Sequence, residues 1–294
     1  MKEVYELEFK DFADNMEREA TESTLKLYKS QYNTIRENFD KPLKKIPNKD
    51  LIEWVMTATT KGGKEMTINS KKNLLNVMVM LKKQVSHKEY KELYNAREKL
   101  RGDVDSEMKD KHEKMDLDNM VSYEELVKYL NVQSNAGYII NYLLLYYCVR
   151  NKDLDLTISE YKDEIPDTGN HLLIDGDKIV YVRNEYKTIK AYGQLVFKIS
   201  AKLFVKNVKN MYDAGETSLI KTKALDKEIR TYTYKNLSET EICKIVVHHF
   251  LMGNHYSNIF EISKRRGTSA ETLLMNYNWK YQDIPASVLK ETKE

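Results

Sequence analysis

Cysteine is nearly missing from this chain: Cys148 and Cys243 are the only two in 294 residues, both embedded in apolar sequence and without C-x-x-C spacing. A disulfide framework and a thiolate zinc site are thereby excluded, and two buried thiols in a reducing compartment are expected. Long apolar runs are missing too. The longest, residues 138–149, is broken by Asn141 and falls short of the roughly 18 residues that span a bilayer, so it reads as a core helix. The first eight residues are acidic and lack the apolar segment of a signal peptide. The expectation is an intracellular protein with no membrane partner.

Neither a Gly-rich phosphate loop nor a His, Cys or carboxylate cluster of metal-ligand spacing occurs, so nucleotide hydrolysis has no support and neither a metal nor any other cofactor is expected. Charge of one sign is not in excess either. Charged residues make up 32% of the chain, yet the net charge is only +3. A nucleic-acid partner is permitted rather than demanded, because a basic face matters more than the sum.

What the sequence does contain is helical periodicity. Phe9, Phe12 and Met16 form one stripe, Tyr28, Tyr32, Ile35 and Phe39 a second, and Leu74, Val77, Met78 and Leu81 a third, each at the spacing of one helix face. Pro42, Pro47 and Gly62-Gly63 separate them as breakers. Residues 1–100 therefore read as a helical domain. Lys71, Lys72, Lys82 and Lys83 flank the third stripe as either a solvated or a phosphate-contacting face.

Residues 101–118 are polar and stripeless and read as a linker. A second domain, 119–294, opens on the capping box Ser122/Glu125, with Leu126, Val127 and Leu130 turned inward. Segments 171–174 and 178–183 around Asp175-Gly176 predict a hairpin with a type I′ turn, and 195–199 a third strand. Helices resume with Ser200, Ser238 (with Glu241), Ser257 and Ser269 as caps and Gly253 as a C-cap. The fold class is mainly α with a small antiparallel β-sheet.

Three residues carry candidate chemistry. Arg150 closes the apolar run Tyr142-Leu-Leu-Leu-Tyr-Tyr-Cys-Val-Arg150, where a guanidinium can grip a phosphate or merely end a helix. Lys187 lies between the second and third strands, with Arg183 and Lys190 as neighbouring candidates. Tyr277 stands nine residues after Thr268 in the segment Lys264-Arg265-Arg266-Gly267-Thr268-Ser269. Together these resemble the tyrosine recombinases, or phage-type integrases. In that family an Arg follows a buried helix, a Lys sits on a β-hairpin and an H-x-x-R box opens a later helix. A Gly-His-Ser then precedes the nucleophilic Tyr.

The resemblance implies a helical core-binding domain and a catalytic-type domain that clamp duplex DNA, with Arg150, Lys187 and Tyr277 as catalytic residues. Lys71, Lys72, Lys190, Arg265 and Arg266 are the expected DNA contacts. Segment 284–289 is expected to dock on a neighbouring protomer. Richness in Lys, Asn and Tyr hints at an AT-rich virus or mobile element, with the protein in host cytoplasm, nucleus or virion. The pattern departs from the family at two places. Cys243 or Lys244 stands where the second Arg belongs, and Thr268 replaces the His. Losing an arginine from such a site costs about 10³ to 10⁵ in rate, so impaired cleavage is expected, and Cys243→Arg with Thr268→His is expected to restore it. An active integrase using Lys244 or a His, and a helical scaffold without DNA affinity, are the alternatives.

Overall fold

The computed structural model describes residues 2–16, 20–39, 41–85, 90–113 and 121–277, and the chain divides into two units, Met1–Met115 and Asp116–Glu294. The first unit holds helices α1 (Lys2–Asp14), α2 (Glu22–Arg36), α3 (Asn48–Thr57), α4 (Ile68–Val85) and α5 (Tyr90–Glu113). All three apolar stripes supply its core. Phe12, Tyr32, Ile35, Leu75, Val77, Met78 and Leu81 are each no more than 1% exposed, around α4.

Polar groups inside this unit tie the helices together. Buried Glu8 accepts hydrogen bonds from the Tyr32 hydroxyl at 2.6 Å and from the backbone N–H groups of Leu43 and Lys44 at 3.2 and 3.1 Å. Glu8→Ala leaves these donors unpaired and is expected to cost about 2 kcal/mol, read as a lower urea midpoint at unchanged m-value. Lys82, placed on an open face by its sequence neighbours, is instead buried and donates to the carbonyls of Lys44 and Ile46 at 3.1 and 2.8 Å. The expected linker also changes character, since α5 runs through 101–113 as continuous helix before the division at 115/116. Its exposed polar residues are those of a helix face that solvent covers.

The second unit begins with α6 (Tyr123–Asn131) on the Ser122/Glu125 capping box, which buries Leu126 and Leu130. Helix α7 (Asn135–Tyr146) follows and is buried on most of its surface, with Asn141 satisfied by the carbonyls of Gly137 and Tyr232. Strands β1 (Leu156–Glu160), β2 (Asn170–Asp175), β3 (Lys178–Arg183) and β4 (Leu195–Ile199) form one sheet in that order. A one-turn helix, α8 (Ile189–Tyr192), joins β3 to β4. Then come α9 (Lys202–Asp213), α10 (Leu225–Tyr232), α11 (Glu239–Met252), α12 (Tyr256–Arg266) and α13 (Ala270–Tyr277).

The class is mainly α, as expected, but the sheet is mixed rather than antiparallel. Strand β1 escapes the sequence reading and pairs parallel to β2, while β2–β3 and β3–β4 are antiparallel. The β2–β3 turn is shifted by one residue: Asp175 pairs with Lys178, and Gly176 leads the loop at φ +57°. Positive φ at the first loop residue alone is the II′ pattern, which glycine at that position satisfies. Of the expected caps, Ser238 and Ser269 accept backbone N–H groups from Glu241 and Thr272. Ser200 and Ser257 do not serve, because Ala201 and His255 occupy those N-cap positions. Gly253 ends α11 with an ordinary negative φ of −82°.

Candidate functional site

Helix α7 ends at Tyr146, and Cys148 turns the chain with a left-handed φ of +46°, so that Arg150 emerges at the head of a 3-10 turn, Asn151–Leu154. The Arg150 backbone N–H donates to Asp153 Oδ2 at 2.9 Å. That carboxylate is fully buried and also accepts from Arg183 Nη2 at 2.5 Å. Arg183 closes the apolar run of β3 with no exposed surface. Its Nη1 donates to the carbonyl of Arg265 at 2.5 Å, and Nη2 also reaches that of Arg266 at 3.4 Å. Arg150 Nη1 adds a bond to the Arg266 carbonyl at 3.3 Å. Two chain segments distant in sequence, the Arg150–Asp153 turn and the end of β3, are thus fastened to the last turn of α12.

That turn is closed by Gly267 in the left-handed region, φ +67°, with Thr268 N–H donating back to the Ser263 carbonyl at 3.0 Å. This is a helix stop of the Schellman type. The Thr188 hydroxyl, on the β3–β4 connection, donates to the Gly267 carbonyl. A Cβ on Gly267 would lie 2.7 Å from the Tyr186 ring and 3.2 Å from Leu195. Ser269 then caps α13, and Tyr277 is its last residue.

The side chain that meets Tyr277 is Arg266, which is 1% exposed. Its Nη2 donates to the Tyr277 hydroxyl at 2.6 Å, Nη1 donates to the Cys148 carbonyl, and Glu239 Oε1 lies 3.7 Å from Nη2. Burial works against charge on this guanidinium, but Cys243, Tyr277 and Glu239 turn the balance and raise its pKa. Burial pushes the Tyr277 phenol above its usual value, with Arg266 pulling the other way. Burial and the neighbouring charge of Arg266 both lower Arg150. Of the three guanidiniums, Arg150 alone is only half-buried and able to meet an anion from solvent. Chemically, the cluster offers one solvent-facing cation and one phenol whose oxygen already carries a cationic hydrogen bond.

The other residues singled out by sequence fall in different settings. Lys187 is exposed on the β3–β4 connection, next to the anchored Thr188, and Lys190 is exposed on α8. Cys243 is buried against Cys148, and Thr268 is 7% exposed. Lys244 is half-buried and lowered by burial, with Glu241 and Cys243 as its charge neighbours. Lys71 is not on a solvated face: buried, it donates to the Met56 carbonyl at 2.7 Å and to Glu65 at 2.6 Å. Lys72 lines a half-open groove with Asn76, Arg97, Glu98 and Arg101. Arg265 donates to the Tyr146 carbonyl at 3.0 Å and lies 5.2 Å from the Tyr147 ring. Arg266, expected to contact DNA from the surface, is interior. Segment 284–289 lies outside the described residues. Sequence reading missed Asp153, Glu239 and the burial of Arg183, although an arginine ending an apolar strand was a usable signal.

Among the described residues there is no group of three or more His, Cys, Asp or Glu able to hold a metal, and no helix long and apolar enough to cross a membrane. No protein-family model matches the chain, and no curated protein matches it. The crystal structure of XerA recombinase is similar over 99% of this chain and 97% of that one, at 14% identity and a TM-score of 0.34. Likeness of that degree carries no weight for function, which rests on the side chains above.

Proposed function

We propose that the chain is a DNA-binding protein of the tyrosine-recombinase type, which presents Tyr277 to a backbone phosphate held by Arg150 and cleaves the strand slowly. The observation that carries this reading is the convergence of Arg150, Arg266 and Tyr277 in one cluster, from the 3-10 turn that follows α7, the end of α12 and the end of α13. In the proposed step the phenolic oxygen attacks phosphorus, Arg150 stabilises the developing oxyanion and Lys187 protonates the leaving 5′ oxygen. Slowness follows from Thr268, which offers a hydroxyl where an imidazole belongs, and from the raised phenol.

Salt-dependent gel shift of the full chain tests the partner. Neutralisation of phosphates by Lys and Arg predicts a steep fall in affinity as salt rises, and Arg150→Ala weakens binding with only a small drop in melting temperature, because the one hydrogen bond its side chain gives up is the 3.3 Å contact to the Arg266 carbonyl. Binding absent at low salt, or indifferent to salt, contradicts the reading.

The pH profile follows from the phenol. Its folded value lies above the ordinary 10.0, so the group is neutral throughout the physiological range. Adduct formation is therefore expected to rise with pH through the neutral range, with no plateau below about pH 10. A plateau near pH 7 points to another nucleophile or base.

A further inference from the structure

We infer that Arg266 is a further catalytic residue: from the end of α12 it supplies the guanidinium that α11 no longer carries, and it acts on the phenolic oxygen of Tyr277 rather than on the phosphate. The inference rests on the reading of Tyr277 as nucleophile.

Burying a guanidinium is unfavourable unless its donors find partners. Arg266 is buried all the same, and one of its two terminal nitrogens is spent on the Tyr277 hydroxyl at 2.6 Å. The surroundings are arranged to hold it there. Arg183 and Arg150 both bond to its carbonyl, the Thr188 hydroxyl bonds to that of Gly267, and the Cys148 carbonyl takes Nη1. Cys148 presents that carbonyl from a left-handed backbone that a non-glycine residue seldom adopts.

Space explains why the arginine can come from this side. Cys243, at the place on α11 where the resemblance expects an arginine, is 1% exposed and small. Burial pushes its thiol up, but the Cys148 hydrogen bond and the charge of Arg266 outweigh it and pull the thiol below its usual value. A second arginine at 243 would bring another guanidinium into a buried position that already feels the charge of Arg266. The double change Cys243→Arg, Thr268→His, which the sequence alone suggests as restorative, is therefore expected to fail while Arg266 is present.

In the step itself the Tyr277 Oη–P bond forms and the P–O5′ bond breaks. The phenolic proton passes to water, and the 5′ oxygen takes a proton from Lys187. Negative charge grows on Oη only as the proton leaves, so a fixed N–H donor there favours the phenolate over the phenol. Glu239 balances the Arg266 charge in the resting protein.

Two measurements on the full chain test the inference. The first titrates 3-fluorotyrosine at position 277 by fluorine NMR without DNA. Arg266→Met is expected to raise the midpoint by about 1 pH unit or more, and Arg266→Met with Glu239→Gln, which leaves no lone buried ion, keeps the test available if the single variant does not fold. The second follows the covalent adduct on a duplex with a 5′-bridging phosphorothiolate. Loss of Arg266 is expected to slow it about 100-fold, and Cys243→Arg combined with Arg266→Met to recover most of that. An unmoved midpoint or an unmoved rate overturns the role. If no protein forms the adduct, the nucleophile reading fails instead, while the titration still decides whether Arg266 acts on Tyr277.

Discussion

Arg183→Met is expected to lower the melting temperature of the second unit by about 10 °C, with no DNA present. Both Arg183 and Asp153 have fully buried side chains and meet at 2.5 Å. Removing one member of a buried pair strands the other, which costs about 3–5 kcal/mol. For a unit of this size each kcal/mol moves the midpoint by about 2–4 °C. The cost spreads further than the pair, because the Arg265 and Arg266 carbonyls lose a donor at the same time. Replacing Asp153 and Arg183 together by Asn and Met removes both charges and is expected to recover part of the loss. A double variant worse than the sum of the singles contradicts a paired role. The measurement is differential scanning calorimetry of the single and double variants.

Gly267→Val is expected to be comparably damaging, at about 3–5 kcal/mol, for a different reason. The position needs φ +67°, where a β-branched residue is strongly strained. The new Cβ would also stand 2.7 Å from the Tyr186 ring, which is fixed between Arg183 and the Gly193 carbonyl. Nothing at that point can yield cheaply, so the turn itself must move. Because the same turn aims Arg266 at Tyr277, the fluorine titration described above is expected to shift along with stability. Circular dichroism melts check the first effect. A Gly267→Val protein that melts normally rules out the strained turn as a requirement of the fold.

Periodicity exposed the core because apolar spacing is a local property. The stripes through Phe12, Ile35 and Leu74 are buried as expected, and so are Leu126 and Leu130 behind the Ser122 box. Strand β1 was not legible, since its sequence Leu-Thr-Ile-Ser-Glu is short and its partner is the parallel strand β2. The polar stretch 101–113 gave no helical stripe, because residues 101–107 of α5 are nearly all exposed and a solvated helix face needs none.

The site was legible in part for the same physical reason. Spacing along one chain could place Arg150, Lys187 and Tyr277 on their elements, and it could register that Cys243 and Thr268 depart from the family pattern. It could not show that a guanidinium from Arg266 reaches Tyr277 across the cluster. That outcome depends on the Gly267 turn and on the partners of Arg183, which are long-range contacts. Lys71 and Lys82 teach the converse, for ammonium groups beside an apolar stripe found backbone carbonyls rather than solvent.

The most direct measurement of the central claim is trapping on a duplex carrying a 5′-bridging phosphorothiolate, whose leaving group needs no protonation by Lys187, followed by peptide mapping of the protein attached to DNA. The reading predicts a slowly formed 3′-phosphotyrosyl adduct at Tyr277 that disappears with Tyr277→Phe. An adduct on any other tyrosine, or none at all on a duplex that the protein demonstrably binds, contradicts it.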